Sequence, residues 1–384
     1  MPYISFASNF LWVMVIGLLG PSVPGIVDDL GITYPQAGLF FTLLSLGSLF
    51  GTTVGGIATD YANRKLLYAG FSGFLGLGLI AMGFAPTYIV ICIIIFAFSL
   101  FGSPIGAVGQ SIMLDMFPHN RAKYLSIQTF FAALGSFTAP LLVALNFTVG
   151  LSWRWPFVQT AVICFLLIPA IVFARIPDAS TERSGHRPIK EILKNPNIIL
   201  AAVLIFLSVS LDLGFSYWLA EYFKSELEVS MRLSSAIVGI YLAGVLTGRL
   251  STSWIIRRIK SKNLLFIGLL TGFISLIIFI VVPSIPVKVI FCLIYGLGIA
   301  PVFPLVMAKG AEEYPKQPGA VTGVLFACLS LGGMLFPFLL GVLASSFGIE
   351  RSYLFNLFVI AAVAAGLFIW IRRRNIPSDQ STMR

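Results

Sequence analysis

The chain has 384 residues, of which 58% are hydrophobic and only 10% are charged, and its mean hydropathy is +0.96. A soluble domain carries about 25% charged residues, so this composition excludes a protein whose whole surface is kept in water. The formal net charge is +10, but the basic residues lie in short polar stretches between long apolar runs. This placement is typical of a membrane protein and excludes nucleic-acid binding as the explanation of the charge.

Long apolar runs recur along the whole chain. A helix needs about 20 apolar residues to cross a bilayer, and the sequence predicts twelve such spans. In chain order they are 5–27, 36–58, 65–84, 87–113, 122–145, 153–174, 198–222, 232–256, 263–282, 286–308, 319–345 and 349–371. The first run lacks a basic leader and is too long for a cleavable signal peptide. We therefore predict an all-α integral membrane protein that leaves almost no chain for a soluble domain.

Basic residues occupy alternate loops between these spans. Arg64 and Lys65 follow the second span, and Arg257 and Arg258 follow the eighth. Because cytoplasmic loops carry an excess of Lys and Arg, this pattern predicts that both termini and the 175–197 stretch are cytoplasmic. We expect a multi-pass protein of a plasma or inner membrane, surrounded by the lipid bilayer and acting as a monomer.

The chain also repeats itself when it is shifted by 197 residues. The shift pairs residues with strong positional meaning: Gly17 with Gly214, Gly47 with Gly244, Gly51 with Gly248, Pro86 with Pro283, Pro104 with Pro301, Pro140 with Pro337 and Arg154 with Arg351. The repeat predicts an N-terminal six-helix bundle (1–174), a polar linker (175–197) and a C-terminal bundle (198–384). Such parallel halves are related by a pseudo-twofold axis along the membrane normal, and a substrate site lies between them near the midplane.

The loop after the second span resembles a signature of the major facilitator superfamily. It contains Gly56-Ile-Ala-Thr-Asp60-Tyr-Ala-Asn-Arg64-Lys65, which keeps the glycine, the acid and the basic pair of that signature. The second copy keeps Gly248-Arg249 and the basic cluster that follows. In the family this loop latches the halves together on the cytoplasmic side. The resemblance therefore implies that Asp60, Arg64 and Arg249 form a conformational latch.

Further runs resemble the fucose-permease-type sugar:proton symporters within that superfamily. These are Ser152-Trp-Arg-Trp-Pro-Phe157 and Gly298-Ile-Ala-Pro-Val-Phe-Pro304. The resemblance implies alternating-access symport of a sugar with protons. The buried acids that fucose permease uses in its first and fourth helices have no counterpart here, so its sugar and coupling residues do not carry over. Gly135-Ser-Phe-Thr-Ala-Pro140 partly resembles a run of drug:proton antiporters.

Asp212 is the acidic residue that the sequence places deepest in a span. It lies about 14 residues into the seventh span, or roughly 21 Å at 1.5 Å per residue, in a hydrocarbon core about 30 Å thick. An ionisable group at this depth costs several kcal/mol and is usually functional. We predict that Asp212 takes up and releases the coupling proton. The alternative is a structural acid that is paired with a basic or polar group on another helix.

Polar aromatic side chains are the expected substrate contacts, because their rings stack on organic solutes while their polar tips form hydrogen bonds. Tyr217 and Trp218 follow Asp212 in the same span. The other candidates are Asn9, Trp12, Tyr241 and Tyr295. Pro104 and Pro301 interrupt equivalent spans of the two halves, and matching interruptions of this kind point to a binding site.

The sequence shows no phosphate-binding loop, no nucleophile–base arrangement and no metal-ligand spacing, so we expect neither an enzyme nor a cofactor or metal. The four cysteines all fall inside spans, where small apolar packing residues are expected. We predict a secondary active transporter that moves a small organic solute, with a sugar as the expected class and protons as the coupling ion. Two alternatives stay open: a proton-driven exporter of drugs or amphipathic, lipid-like compounds, and a non-transporting membrane sensor.

Overall fold

A computed structural model describes residues 2–61, 63–117, 121–174, 194–312 and 318–374. These residues contain twelve helical segments that are long and apolar enough to cross a membrane, and we number them α1 to α12. Their bounds are α1 Pro2–Leu30, α2 Tyr34–Tyr61, α3 Arg64–Phe84, α4 Tyr88–Gly102 with Pro104–Met116, α5 Arg121–Thr148, α6 Trp155–Phe173, α7 Pro196–Val209 with Ser210–Gly214 and Phe215–Ser225, α8 Met231–Ile255, α9 Ser261–Val281, α10 Ile285–Ile299 with Val302–Ala311, α11 Pro318–Phe347, and α12 Ile349–Ser352 with Leu354–Arg374. The described residues contain helices and no strands, which confirms the predicted fold class.

Three of the twelve helices are interrupted in mid-membrane. Proline lacks a backbone N–H and cannot continue the hydrogen-bond ladder, and α4 breaks at Ser103, just before Pro104. The equivalent helix α10 breaks just before and at Pro301. The third interruption, in α7, is a π-helical turn over Ser210–Gly214. Each break frees backbone groups, which are tolerated in a membrane only where protein or a cavity covers them.

The two halves are built alike, in agreement with the 197-residue repeat. α2 begins at Tyr34 and α8 at Met231, while α3 begins at Arg64 and α9 at Ser261, so both pairs of starts are 197 residues apart. The same neighbours pack in each half: α1 with α5 and α7 with α11, α2 with α4 and α8 with α10, α3 with α6 and α9 with α12. The repeat in sequence is therefore also a repeat in packing.

Glycines at equivalent positions bring two helix pairs close together. A Cβ atom placed on Gly47 of α2 would lie 2.7 Å from the carbonyl oxygen of Phe96 in α4. A Cβ atom on Gly244 of α8 would lie 2.2 Å from the carbonyl oxygen of Leu293 in α10. Leu293 is itself 197 residues after Phe96. Small residues of this kind let helix backbones approach closely in membrane bundles.

The outer surface of the bundle is apolar. Large side chains such as Phe84, Phe173 and Trp254 are exposed, and in water a surface of such residues would drive association. Around a membrane-spanning bundle the same side chains face lipid tails. The backbone polar groups meanwhile are satisfied inside the helices, as a bilayer requires.

The two halves meet mainly along the helix pairs α1 with α7, α2 with α11 and α5 with α8, and α1 also contacts α8. We call the end where α1 and α7 finish, at Leu30 and Ser225, the sealed end. We call the other end, where α6 finishes at Phe173 and α7 begins at Pro196, the linker end. Near the sealed end, the Ser235 hydroxyl of α8 donates to the Pro21 carbonyl of α1 at 3.0 Å, which joins the halves directly.

Candidate functional site

The π-helical turn of α7 positions Asp212. A π turn inserts an extra residue into a helix and is frequent at functional sites. The Ser210 hydroxyl of this turn donates to the Asn356 side-chain oxygen of α12 at 2.9 Å. Gly214 closes the turn, and a Cβ atom there would lie 2.8 Å from the Leu340 side chain of α11. The turn is therefore packed against α11 and bonded to α12 of its own half.

Asp212 bonds to two side chains of α8. The Tyr241 hydroxyl donates to its Oδ1 at 2.7 Å, and Arg249 Nη2 donates to its Oδ2 at 3.3 Å. The Asp212 side chain is nevertheless 28% exposed, and that of Arg249 is 35% exposed. The deep acid is thus partnered by a cation on another helix and remains accessible at the same time.

Tyr241 and Tyr295, two of the predicted substrate contacts, are fully buried. The Tyr295 hydroxyl donates to the Leu211 carbonyl at 2.9 Å, a carbonyl in the π turn of α7. Both rings pack around Phe215, at centroid distances of 5.3 Å and 4.6 Å. In this conformation these tyrosines hold Asp212 and its turn, and they do not face an open cavity.

A narrow cavity of about 20 Å³, with room for about one water molecule, opens among α7, α8 and α10 of the C-terminal half, beside Asp212 and Arg249. Its wall includes Ile299, Ala300 and Val302, which flank the break in α10 at Pro301. The predicted helix break at Pro301 therefore lies at the cavity. Apart from the ion pair and Ser208, the lining residues are apolar.

The equivalent break in the N-terminal half lies beside Asn9 and Trp12. A Cβ atom placed on Gly106, two residues after Pro104, would lie 3.3 Å from Asn9 Oδ1 and 3.6 Å from Trp12 Cδ1. Asn9 Nδ2 donates to the Gln128 carbonyl of α5 at 2.9 Å. The side chain of Trp12 is buried. The structure therefore groups these two candidates with the α4 break and apart from Asp212.

A polar cluster inside the N-terminal bundle was not predicted. The Ser5 hydroxyl donates to the Gly109 carbonyl at 2.7 Å and receives a bond from Gln128 Nε2 at 3.4 Å. The Ser8 hydroxyl bonds closely to the Tyr68 hydroxyl. Ser5 and Ser8 are three residues apart and so share a helix face, a spacing that is visible in the sequence. The sequence does not show that the hydrogen-bond partners of these serines lie on α3, α4 and α5.

Tyr217 and Trp218, the remaining predicted contacts, form part of the sealed end. The Tyr217 ring stacks on Phe41 of α2 at 4.1 Å between centroids. The indole N–H of Trp218 donates to the Pro337 carbonyl of α11 at 2.9 Å. A Cβ atom on Gly20 of α1 would lie 3.0 Å from the Tyr217 backbone. Both aromatics are buried and lie between Asp212 and the end of α7 at Ser225.

Glu221 also lies in the sealed end, near the end of α7. The residue is 1% exposed, because Tyr34 of the other half covers it. The Tyr34 hydroxyl donates to Glu221 Oε1 at 3.3 Å, and Oε2 is buried with no hydrogen-bond partner among the described residues. Farther out, Lys224 bonds closely to Asp28 across the halves.

Of the three predicted latch residues, the structure describes the side chains of Arg249 and Arg64. Arg249 pairs with Asp212 of its own half. Arg64 is buried at the start of α3, where the side chain of Asn63 caps the helix. The Asp60 side chain lies outside the described part of the structure. The latch therefore stays a prediction. In this conformation Arg249 lies beside the cavity and is paired with Asp212.

Fold and site together define a multi-pass membrane transporter, made of two similar six-helix bundles, with an ion pair beside a cavity inside the second bundle. The sequence profile of the Major Facilitator Superfamily matches residues 5–337, and the chain belongs to that superfamily.

Relatives and solved structures agree with this membership. The uncharacterized MFS-type transporter YfkL of Bacillus subtilis (strain 168) is 23% identical over 365 residues, which cover 92% of this chain and 90% of the relative. A bacterial homolog of the human lysosomal transporter Spinster superposes with a TM-score of 0.80 at 15% identity, covering 96% of both chains. The nucleoside transporter NupG superposes with a TM-score of 0.77 at 15% identity, covering 97% of this chain and 98% of its own. The two solved structures therefore share the fold of this chain.

Proposed function

We propose that this protein is a proton-coupled secondary active transporter of a small organic solute, with Asp212 as the proton-carrying group. The observation that carries the proposal is the position of Asp212. It lies in mid-membrane on a π turn, is bonded to Tyr241 and Arg249, and is still 28% exposed. Ionisable residues in such positions mark proton relays of transporters.

The conformation supports alternating access. At one end the halves are joined through Tyr217 with Phe41, Tyr34 with Glu221, and Lys224 with Asp28. Asp212 lies beyond this seal, toward the linker end. Because basic loops favour the cytoplasm at the linker end, we infer an inward-open state. Transport then requires the seal to open as the linker end closes.

The lining of the cavity favours a solute with an apolar body over a sugar. Sugars expose many hydroxyl groups, and each one that is buried without a partner costs about 1–3 kcal/mol. Leu211, Val245, Ile299, Val302 and Phe303 line most of the cavity and offer no polar side-chain atoms. Export of amphipathic compounds is the second candidate, because the same apolar lining suits them. The direction of transport distinguishes the two.

The test is transport by the purified chain in proteoliposomes, with radiolabelled glucose, uridine and benzoate as probes. We expect an inward proton gradient to drive accumulation of a probe by the wild type. Asp212→Asn should lose this accumulation and keep exchange of the probe down its own gradient. Glu228→Gln, which changes an exposed acid between α7 and α8, is the matched control and should behave as the wild type.

Three outcomes would change the proposal. Gradient-driven accumulation by Asp212→Asn at the wild-type rate would refute the role of this carboxyl. Accumulation under an outward proton gradient would instead establish export. Binding of a probe without flux under any gradient would make the protein a sensor on a transporter fold.

A further inference from the structure

Arg249 faces the cavity with unused hydrogen-bonding capacity. A guanidinium carries five N–H groups in a planar fork, and the bond to Asp212 uses one of them, on Nη2. Arg249 Nε is buried and has no hydrogen-bond partner in the described part of the chain. The side chain is also 35% exposed. The cation therefore has donors left for a second acceptor.

The surroundings of Arg249 define what that acceptor is. A guanidinium binds a carboxylate through two parallel hydrogen bonds. The neighbouring wall is apolar, formed by Val245, Val302 and Phe303 among others. A small molecule with one carboxylate and an apolar body matches both features. We propose that Arg249 binds the carboxylate of a small organic acid and that this class of molecule is the solute. This inference rests on the proposed transport function.

Asp212 and the solute then compete for one guanidinium. When Asp212 is ionised, it holds Arg249 through the Nη2–Oδ2 bond. When Asp212 carries a proton, Arg249 is released and binds the solute anion. Each of these two states contains one cation and one anion in the site, so its net charge is zero. The half-loaded states carry an unpaired charge, which is costly inside a membrane. Proton and anion therefore cross together.

The groups around Asp212 are compatible with this exchange. From α8 come Arg249 and Tyr241, whose hydroxyl already donates to Oδ1. From α10 comes Tyr295, which is bonded to the Leu211 carbonyl, and from α12 comes Asn356, which is bonded to Ser210. Among these four side chains Arg249 is the cation. Protonation of Asp212 therefore frees the Arg249 guanidinium.

The first measurement is binding by the purified full-length chain. The probes are benzoate and propionate, each compared with its uncharged amide, at about pH 5.5 and about pH 7.5, where carboxylic acids of this kind stay ionised. We expect the wild type to bind the acids about tenfold more tightly at the lower pH, a change that corresponds to about 1.4 kcal/mol. The amides should show no such dependence.

Two variants separate the competing carboxyls. Asp212→Asn should bind the acids at about pH 7.5 at least as tightly as the wild type does at about pH 5.5, and should lose the pH dependence. A gain of affinity of this kind cannot come from misfolding. Arg249→Gln should bind the acids about tenfold more weakly, and Arg249→Lys should recover part of the loss. Arg232→Gln, an exposed arginine of the same helix, is the control.

The inference is overturned if Arg249→Gln binds benzoate like the wild type, or if Asp212→Asn shows no gain. It is also overturned if the amides follow the acids, or if no variant binds either acid. In proteoliposomes the inference predicts that uptake of benzoate is electroneutral and unaffected by an imposed membrane potential. If Asp212→Asn binds benzoate tightly yet still accumulates it under a proton gradient, the coupling role fails while the anion site stands.

Discussion

Tyr34→Phe tests whether the sealed end is held by the contact between Tyr34 and Glu221. The substitution removes one hydroxyl and keeps the ring, which packs edge-on against Trp218 at 5.6 Å between centroids. That hydroxyl donates to Glu221 Oε1 at 3.3 Å across the two halves. Without it, the carboxyl at the centre of the seal loses the partner that reaches it from the other half.

The expected magnitude follows from the burial of Glu221. The residue is 1% exposed, and its second oxygen already has no hydrogen-bond partner among the described residues. Leaving a buried acceptor unsatisfied costs about 1–3 kcal/mol. This cost falls on the sealed state alone, because water reaches the carboxyl once the seal opens. We expect the population with an open seal to rise roughly fivefold to 150-fold.

Distances between spin labels at the sealed end measure this population. Thr87 and Ser284 are suitable sites in a cysteine-free background, because they are exposed and are equivalent in the two halves. Each precedes a helix, α4 or α10, without a side-chain capping bond. Labels attached there by cysteine substitution should show a longer distance in a larger fraction of molecules for Tyr34→Phe than for the parent.

The matched control is Tyr88→Phe. The Tyr88 hydroxyl donates to the Gln36 carbonyl at 3.2 Å, at the same end but within one half. If Tyr34→Phe leaves the distance distribution unchanged, or changes it no more than Tyr88→Phe does, the contact does not hold the seal.

Two further predictions concern the seal and the helix packing. Lys224→Gln removes the ion pair with Asp28, in which the Lys224 side chain is 24% exposed and the Asp28 side chain 43% exposed. Such an exposed pair contributes at most about 1 kcal/mol. The same labels should therefore report about a twofold rise in the population with an open seal, and this rise should vanish at high salt. Gly244→Ala places a methyl group 2.2 Å from the Leu293 carbonyl oxygen, so thermal unfolding should show a loss of about 1–3 kcal/mol. Gly70→Ala, where nothing lies within 4 Å, should lose no stability, and an equal loss in both would contradict the packing argument.

Several site residues were predictable because their signal is local. Asp212 is an acid inside an apolar span, and Pro301 interrupts a span, so each was identified from its own neighbourhood in the sequence. The structure places both at one cavity. Arg249 was assigned to a latch by resemblance to a loop signature, which stays a prediction, and the structure pairs it with Asp212. A pairing between α7 and α8 depends on helix rotation, which no local signal encodes.

The burial of Glu221 also could not be predicted from the sequence. It lies near the end of α7 and is nevertheless buried. Its burial depends on Tyr34, which lies 187 residues away in the chain and in the other half. Tyr217 and Trp218 were predicted to contact a solute because of their chemistry. The structure packs them into the seal, since a residue type does not specify which conformation of a transporter exposes it.

The sequence by itself determined the class of this protein. Hydrophobic length predicts twelve membrane helices, because lipid forces every span into a helix. The 197-residue repeat predicts two similar bundles, because glycines and prolines at equivalent positions favour equivalent packing. Only the tertiary structure decided which side chains meet. It brought Arg249 to Asp212 and Tyr34 to Glu221, because contacts between helices depend on rotation, tilt and the conformational state, which a linear pattern of apolar residues leaves open.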